Sequence, residues 1–235
     1  MSERKKLFEN YFDSIFASSN TFSKKEYEGA ADFYESNYGR FLPEDKKAKI
    51  LDVGCGASHF LYFLKKKGYK NFLGIDISPQ QINFCKENIS KEVEVADGFE
   101  FLKDKENIYE AIIANDLLEH IPKDKTIEIL TLVNKALKDR GIFLMRTLNC
   151  SNPFSIFLRY KDFTHEMGFT EKSLYQVLWI AGFRNIQIMG AVGRERIVFS
   201  ILRKAIYLFL RKLFWYQGFV APKILSSVLI GIAKK

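Results

Sequence analysis

Apolar residues fall along this chain in short runs that alternate with longer stretches of helical spacing. Residues 50–53 are an apolar run stopped by Gly54, which predicts a buried strand. Residues 60–67 are helical in spacing and close at Gly68. The next run, 72–75, ends at Asp76, and Pro79 opens a helix reaching about residue 88. Runs at 93–96, 111–115 and 142–145 predict three more strands, with a helix over 127–137. Residues 174–181 read as a helix stopped by Gly182, and 185–189 and 227–233 as the last two strands. Strands alternating with helices predict an α/β fold with a seven-stranded, mostly parallel sheet covered by helices on both faces.

Two segments stand outside that alternation. Residues 1–49 carry aromatic residues at helical spacing, first Phe8, Tyr11, Phe12, Ile15 and Phe16, then Tyr27, Phe33, Tyr34 and Tyr38 before Pro43. They read as a helical lid on a core at 50–193. Near the other end, Val198, Leu202, Ile206, Phe209, Leu213 and Tyr216 form one helical stripe. Gly218 and Pro222 end it, so 194–222 reads as an insertion before the last strand at 223–235. No composition shift marks a linker, and one domain is expected over 1–235.

Charge sharpens the picture of that insertion. The chain has 235 residues with 36 Lys and Arg against 28 Asp and Glu. From Arg196 onward there are eight basic residues and no acid, so the rest of the chain is balanced. A basic helix with an apolar stripe fits an anionic membrane surface. Packing on the core or on a second subunit is the alternative. The interleaving of basic and apolar positions argues against nucleic acid. No oligomeric state is read from the sequence. The start of the chain lacks the apolar core of a secretory signal. The tail's longest charge-free run falls short of the roughly 18 residues of a membrane span. Three cysteines without a C-x-x-C pair fit a reducing cytoplasm. The expected location is cytoplasmic, with peripheral contact on the inner face of the membrane if the stripe meets lipid.

The chemistry begins after the first strand, at Asp52-Val-Gly54-Cys-Gly56. Glycines there let the backbone turn sharply and approach a ligand. Asp76 ends the second strand 20 residues after Gly56, placed to accept hydrogen bonds from a ribose diol. Asp97 follows the third strand. Three acids at three strand ends suit a cationic nucleoside better than a diphosphate. Asp-Val-Gly-Cys-Gly, Gly-Ile-Asp-Ile-Ser, Val-Ala-Asp-Gly and Asp-Leu-Leu-Glu-His-Ile-Pro, in this order, resemble the class I S-adenosylmethionine-dependent methyltransferases. The resemblance spans about residues 40–190 and implies their Rossmann-like fold. It also implies that Asp52, Gly54 and Gly56 hold the methionine end of S-adenosyl-L-methionine, and Asp76 the ribose. Ile77, Asp97 and Gly98 would meet the adenine. Asn115 joins the cofactor set, and Arg40 is expected at the cofactor carboxylate. The loop lacks the G-x-G-x-x-G of a nicotinamide-binding protein.

The acceptor side should lie at Asp116, Glu119 and His120, which would share one face of a helix, and at His165 in Asp162-Phe-Thr-His. This pattern resembles the metal-binding quartet of small-RNA 2′-O-methyltransferases and of ubiquinone-pathway O-methyltransferases. That resemblance implies a divalent cation on Asp116, Glu119, His120 and His165. Here Asp116 stands where Glu is usual, one methylene shorter. Two other readings stay open: His165 or His120 as a metal-free general base, and both as loop-holding residues. The wider texture resembles methyltransferases of surface-polysaccharide and O-antigen clusters. The expected activity is O-methylation of a sugar hydroxyl on a surface glycan or its lipid-linked precursor. The alternatives are a quinone or other small phenolic acceptor, and a membrane-associated binding module without catalysis.

Overall fold

The computed structural model describes residues 7, 8, 11, 14, 22–193 and 197–235, the side chains of 197–200 excepted. Phe12, Ile15 and Phe16 of the first expected helix, and the side chain of Val198 in the stripe, lie outside the described residues. The chain begins its regular structure with α1 (Lys24–Tyr38), followed by β1 (Ile50–Val53), α2 (His59–Lys66), β2 (Phe72–Asp76) and α3 (Pro79–Asn88). Then come β3 (Val93–Val95), α4 (Gly98–Leu102), β4 (Tyr109–Asn115), α5 (Thr126–Ala136) and β5 (Leu137–Leu148). The last third holds α6 (Ser155–Lys161), α7 (Glu171–Ile180), β6 (Arg184–Gly190), α8 (Ile197–Tyr216) and β7 (Val228–Lys234).

The seven strands form one sheet in the order β3-β2-β1-β4-β5-β7-β6. The pairs among β1–β5 are parallel, and β7 runs antiparallel between β5 and β6. Strand side chains alternate between two cores. Ile112 joins Ile129, Leu130, Leu174 and Leu178 of α5 and α7 on one face. Ala111 and Ile113 join Tyr34, Phe60, Phe63 and Ile82 of α1, α2 and α3 on the other. Because strand order reverses between β1 and β4, the carboxyl ends of these two strands open a crevice at the switch point.

Each expected strand and core helix is present. The periodicity missed α4 and α6, both too short to show a helical period. Ser23 caps α1 through its side chain, and Ser78 caps α3 ahead of Pro79. Helix α1 is tied down near the crevice. The Tyr27 hydroxyl donates to the Ala57 carbonyl at 2.8 Å, and Asn37 Nδ2 to the Val192 carbonyl at 2.8 Å. No helix among the described residues is long and apolar enough to cross a membrane.

Candidate active site

A cleft of about 820 Å³ opens over the carboxyl ends of β1, β2 and β4. Its floor is the loop after β1. Gly54 and Gly56 have φ of +72° and +51°, and a Cβ on Gly54 would come within 3.0 Å of Leu117 Cδ1. A side chain there is strained twice, by the backbone and by Leu117. Asp76 fixes the loop: one of its oxygens accepts from Gly56 N–H at 3.0 Å and the other from Ser78 N–H at 2.8 Å. A carboxylate offers about four acceptor sites, so half of them remain for a ligand.

Asp52 is buried on the cleft wall, and its Oδ1 has no hydrogen-bond partner among the described residues. Burial, and then the charge of Asp76, push its carboxyl up to about 8. Asn115 accepts from the Tyr38 hydroxyl at 2.7 Å, which leaves its buried Nδ2 unbonded among the described residues. An orphaned acceptor and an orphaned donor in one wall suit a ligand bearing both an ammonium and a carboxylate. Ile77, 44% exposed, offers a flat apolar surface at the rim. Next to it Asp97 caps α4 by accepting from Phe99 N–H at 2.8 Å, and Gly98 lines the same end. The residues present fit an elongated cationic nucleoside. His59 also lines the cleft. Its ring stacks on Tyr27 at 4.4 Å and its Nε2 lies 3.2 Å from Glu26.

Arg40 is elsewhere. It stacks on Phe41 and lines a separate recess with Glu110, Lys138 and Arg140, at the amino ends of β4 and β5. It precedes β1, so the chain carries it to the end of the sheet opposite the cleft.

The expected metal quartet is also rearranged. Residues 118–120 form a 3-10 turn rather than an α-helix, and Asp116 precedes it at φ +51°. The three side chains therefore share no helical face. Asp116 turns to Arg146, which donates from Nε at 2.8 Å and pairs through Nη2 with the other oxygen. Glu119 is buried and accepts from the Thr147 hydroxyl at 2.9 Å. Burial and then the charge of Asp116 push its carboxyl up to about 8. The structure instead gathers His120 and His165 with Asp162, one ligand atom from each lying within 4.8 Å of the others.

Neighbours fix the state of this second cluster. Asp162 Oδ1 accepts the Thr164 N–H at 2.9 Å and the Thr164 hydroxyl at 2.7 Å, and Oδ2 accepts the Tyr11 hydroxyl at 2.9 Å. Burial raises the Asp162 carboxyl, but these hydrogen bonds outweigh it and hold the group below the usual range. Thr164 has given its proton to Asp162, so at 2.8 Å it receives one from His120 Nδ1. His165 Nδ1 lies 3.1 Å from the Leu158 carbonyl and 3.3 Å from that of Arg159. Carbonyls only accept, so His165 Nδ1 carries the proton. This network assigns Nδ1 as the donor in both rings. Burial and then neighbouring His165 push His120 down to about 4, leaving it neutral at pH 7.

Sequence reasoning passed over Arg146, Tyr11 and Thr164 and gave Asp162 no role. Arg146 had one signal, a cation directly after the apolar run 142–145. Asp162 and Thr164 stood in the Asp-x-Thr-His pattern.

A family profile described as a methyltransferase domain matches residues 27–188. A crystal structure of a SAM-dependent methyltransferase from Archaeoglobus fulgidus superposes with a TM-score of 0.66. It is 23% identical, over 90% of this chain and 97% of that one. Phosphoethanolamine N-methyltransferase 1 of Arabidopsis thaliana is 29% identical over 162 residues, 63% of this chain and 32% of that protein. Cyclopropane-fatty-acyl-phospholipid synthase of Escherichia coli is 23% identical over 100 residues, 43% of this chain and 26% of that protein. The chain thus spans a quarter to a third of the length of these two curated relatives.

Proposed function

The chain belongs to the methyltransferase-domain family, and from that premise we propose that it is an S-adenosylmethionine-dependent methyltransferase whose acceptor is a hydroxyl, carried by a sugar of a surface glycan or of its lipid-linked precursor. The observation that carries the hydroxyl is the pair of imidazoles facing the cleft, both with Nδ1 committed as donor. A sugar hydroxyl is a poor acid and needs a base as it attacks. S-adenosylmethionine, when bound, supplies a methyl group activated on a sulfonium. Asp52, Asp76 and Asn115 would hold that cofactor, and Gly54 and Gly56 would let it lie against the backbone. His165 Nε2 would take the hydroxyl proton as the oxygen bonds to the methyl carbon and that carbon's bond to sulfur breaks, releasing the thioether. His120, tied through Thr164 to ionised Asp162, holds the acceptor beside it. Support for the glycan is the resemblance to surface-polysaccharide methyltransferases.

A phenolic acceptor is the second reading, favoured by the aromatic wall of Phe8, Tyr11 and Phe33. Transfer of labelled methyl to glycan and catechol acceptors separates the two. Transfer to neither, in the presence of bound cofactor, would remove both. His120, Asp162 and His165 also make a donor set for a divalent cation, with Asp162 where the quartet resemblance implies Asp116 and Glu119. A cation would occupy lone pairs that the base reading needs free. Undiminished turnover in metal-stripped protein supports the base, and turnover abolished by chelation and restored by a divalent ion supports the metal.

A further inference from the structure

Among the described residues, nothing packs on one apolar face of helix α8. Among residues 201–216 only Leu210 is buried. Leu202, Ile206, Phe209, Leu213 and Tyr216 of the stripe are 41–79% exposed. The helix rests on the protein through Leu210 and the half-buried Tyr207 and Phe214. At about 100° per residue, these lie roughly a third of a turn away from the stripe. A stripe of this size in water calls for a cover.

Charge selects the cover. The helix carries Arg203, Lys204, Arg211 and Lys212, and no acid occurs from residue 196 to the end. A second copy would set this basic surface against an identical one in a two-fold contact, like charge on like. Nucleic acid would match the charge and leave the apolar stripe wet. An anionic bilayer satisfies both, taking the apolar face into its acyl boundary while the basic side chains reach its headgroups. Trp215 and Tyr216, both 79% exposed, end the helix as interfacial aromatics.

A separate surface points to the same partner. On α6 and just beyond it, Phe157, Tyr160 and Phe163 are 70–89% exposed, while Leu158, Lys161 and Asp162 line the cleft. The start of α6 is tied to the segment that follows α8. Asn152 Nδ2 donates to the Leu225 carbonyl at 2.8 Å, and the Ser155 hydroxyl to the Ser227 carbonyl at 3.1 Å. The start of α6, whose other side lines the cleft, is thus joined to the segment that leads from α8 into β7. We propose that α8 and the aromatic side of α6 seat the enzyme on an anionic phospholipid bilayer, with the cleft opening next to the lipid. The inference stands whichever acceptor hydroxyl is methylated.

The test is flotation of the full chain with phosphatidylcholine vesicles, with and without phosphatidylglycerol. Capture should require the anionic lipid and fall with salt. Lys204→Gln with Lys212→Gln should weaken it roughly thirtyfold, at about 1 kcal/mol per basic residue. Phe209→Gln with Trp215→Gln should weaken it by at least about tenfold. Both variants change exposed side chains, so their circular dichroism and cofactor affinity should stay those of the unaltered chain. Equal capture by neutral vesicles, no capture at all, or capture unmoved by both variants would overturn the proposal. So would a lipid-free dimer that Phe209→Gln and Trp215→Gln break, or an affinity for RNA above that for the vesicles.

Discussion

At the cofactor end of the cleft, Asp52 is buried with one oxygen unbonded among the described residues. At the acceptor end, Asp116 is 41% exposed and held on both oxygens by Arg146. These two carboxylates are alike in sequence context, since both stand at the carboxyl end of an apolar strand, Asp52 one residue inside β1 and Asp116 directly after β4. One is left short of a positive charge and the other is already supplied with one. A cationic ligand therefore gains most at Asp52 and little at Asp116. A carboxylate's role is set by what faces it: the cofactor end is left incomplete, and the acceptor end is closed on itself.

The sharpest way to separate the two ends is His165→Gln. It should lower turnover by about 10²–10⁴-fold, the usual worth of a general base, and leave cofactor affinity unchanged. Equal losses in both would merge the ends into one site. Asp52→Asn should act the other way, weakening cofactor binding by roughly 10–100-fold, as expected for a hydrogen bond to a charged group. Titration calorimetry reads it directly, and an unchanged affinity would remove Asp52 from the site.

Arg146→Met tests the closed pair. It leaves Asp116 without its partner but keeps an aliphatic stem near Phe33, whose ring lies 5.2 Å from the guanidinium. With Asp116 this exposed, a loss of about 1–2 kcal/mol is expected, less than for a fully buried pair. That should appear as a melting temperature lower by roughly 4 °C. Unchanged melting would mean that Asp116 is free to bind ligand. The smallest effect belongs to Arg40→Ala, which lies off the cleft and should leave cofactor affinity within about twofold.

The cofactor end was largely legible in the sequence, because its parts are local. A glycine turn after a buried strand and an acid closing the next strand lie where strand order puts them. The fold was legible for the same reason, since each strand and long helix carries its own period. The acceptor end depended on longer-range pairing. Arg146 and Asp116 meet across 30 residues, and Tyr11 reaches Asp162 across 151. The spacing of Asp116, Glu119 and His120 suggested a shared helical face, and the 3-10 turn there removes it. Arg40 was misplaced although topology argued against it, since residues entering β1 lie at its amino end.

The charge state of Asp52 is the central physical claim. Its carboxyl stands at about 8 in the free cleft, so it is mostly protonated at pH 7. A bound cation favours the ionised form, so binding must release that proton. Below about pH 8 cofactor affinity should rise about tenfold per pH unit, and above it level off. The direct measurement is calorimetric titration of S-adenosylmethionine at pH 7 in two buffers of different ionisation enthalpy. Close to one proton should be released per cofactor bound, and Asp52→Asn should abolish the release. Binding with no proton release by the unaltered chain, or release that survives Asp52→Asn, would contradict it.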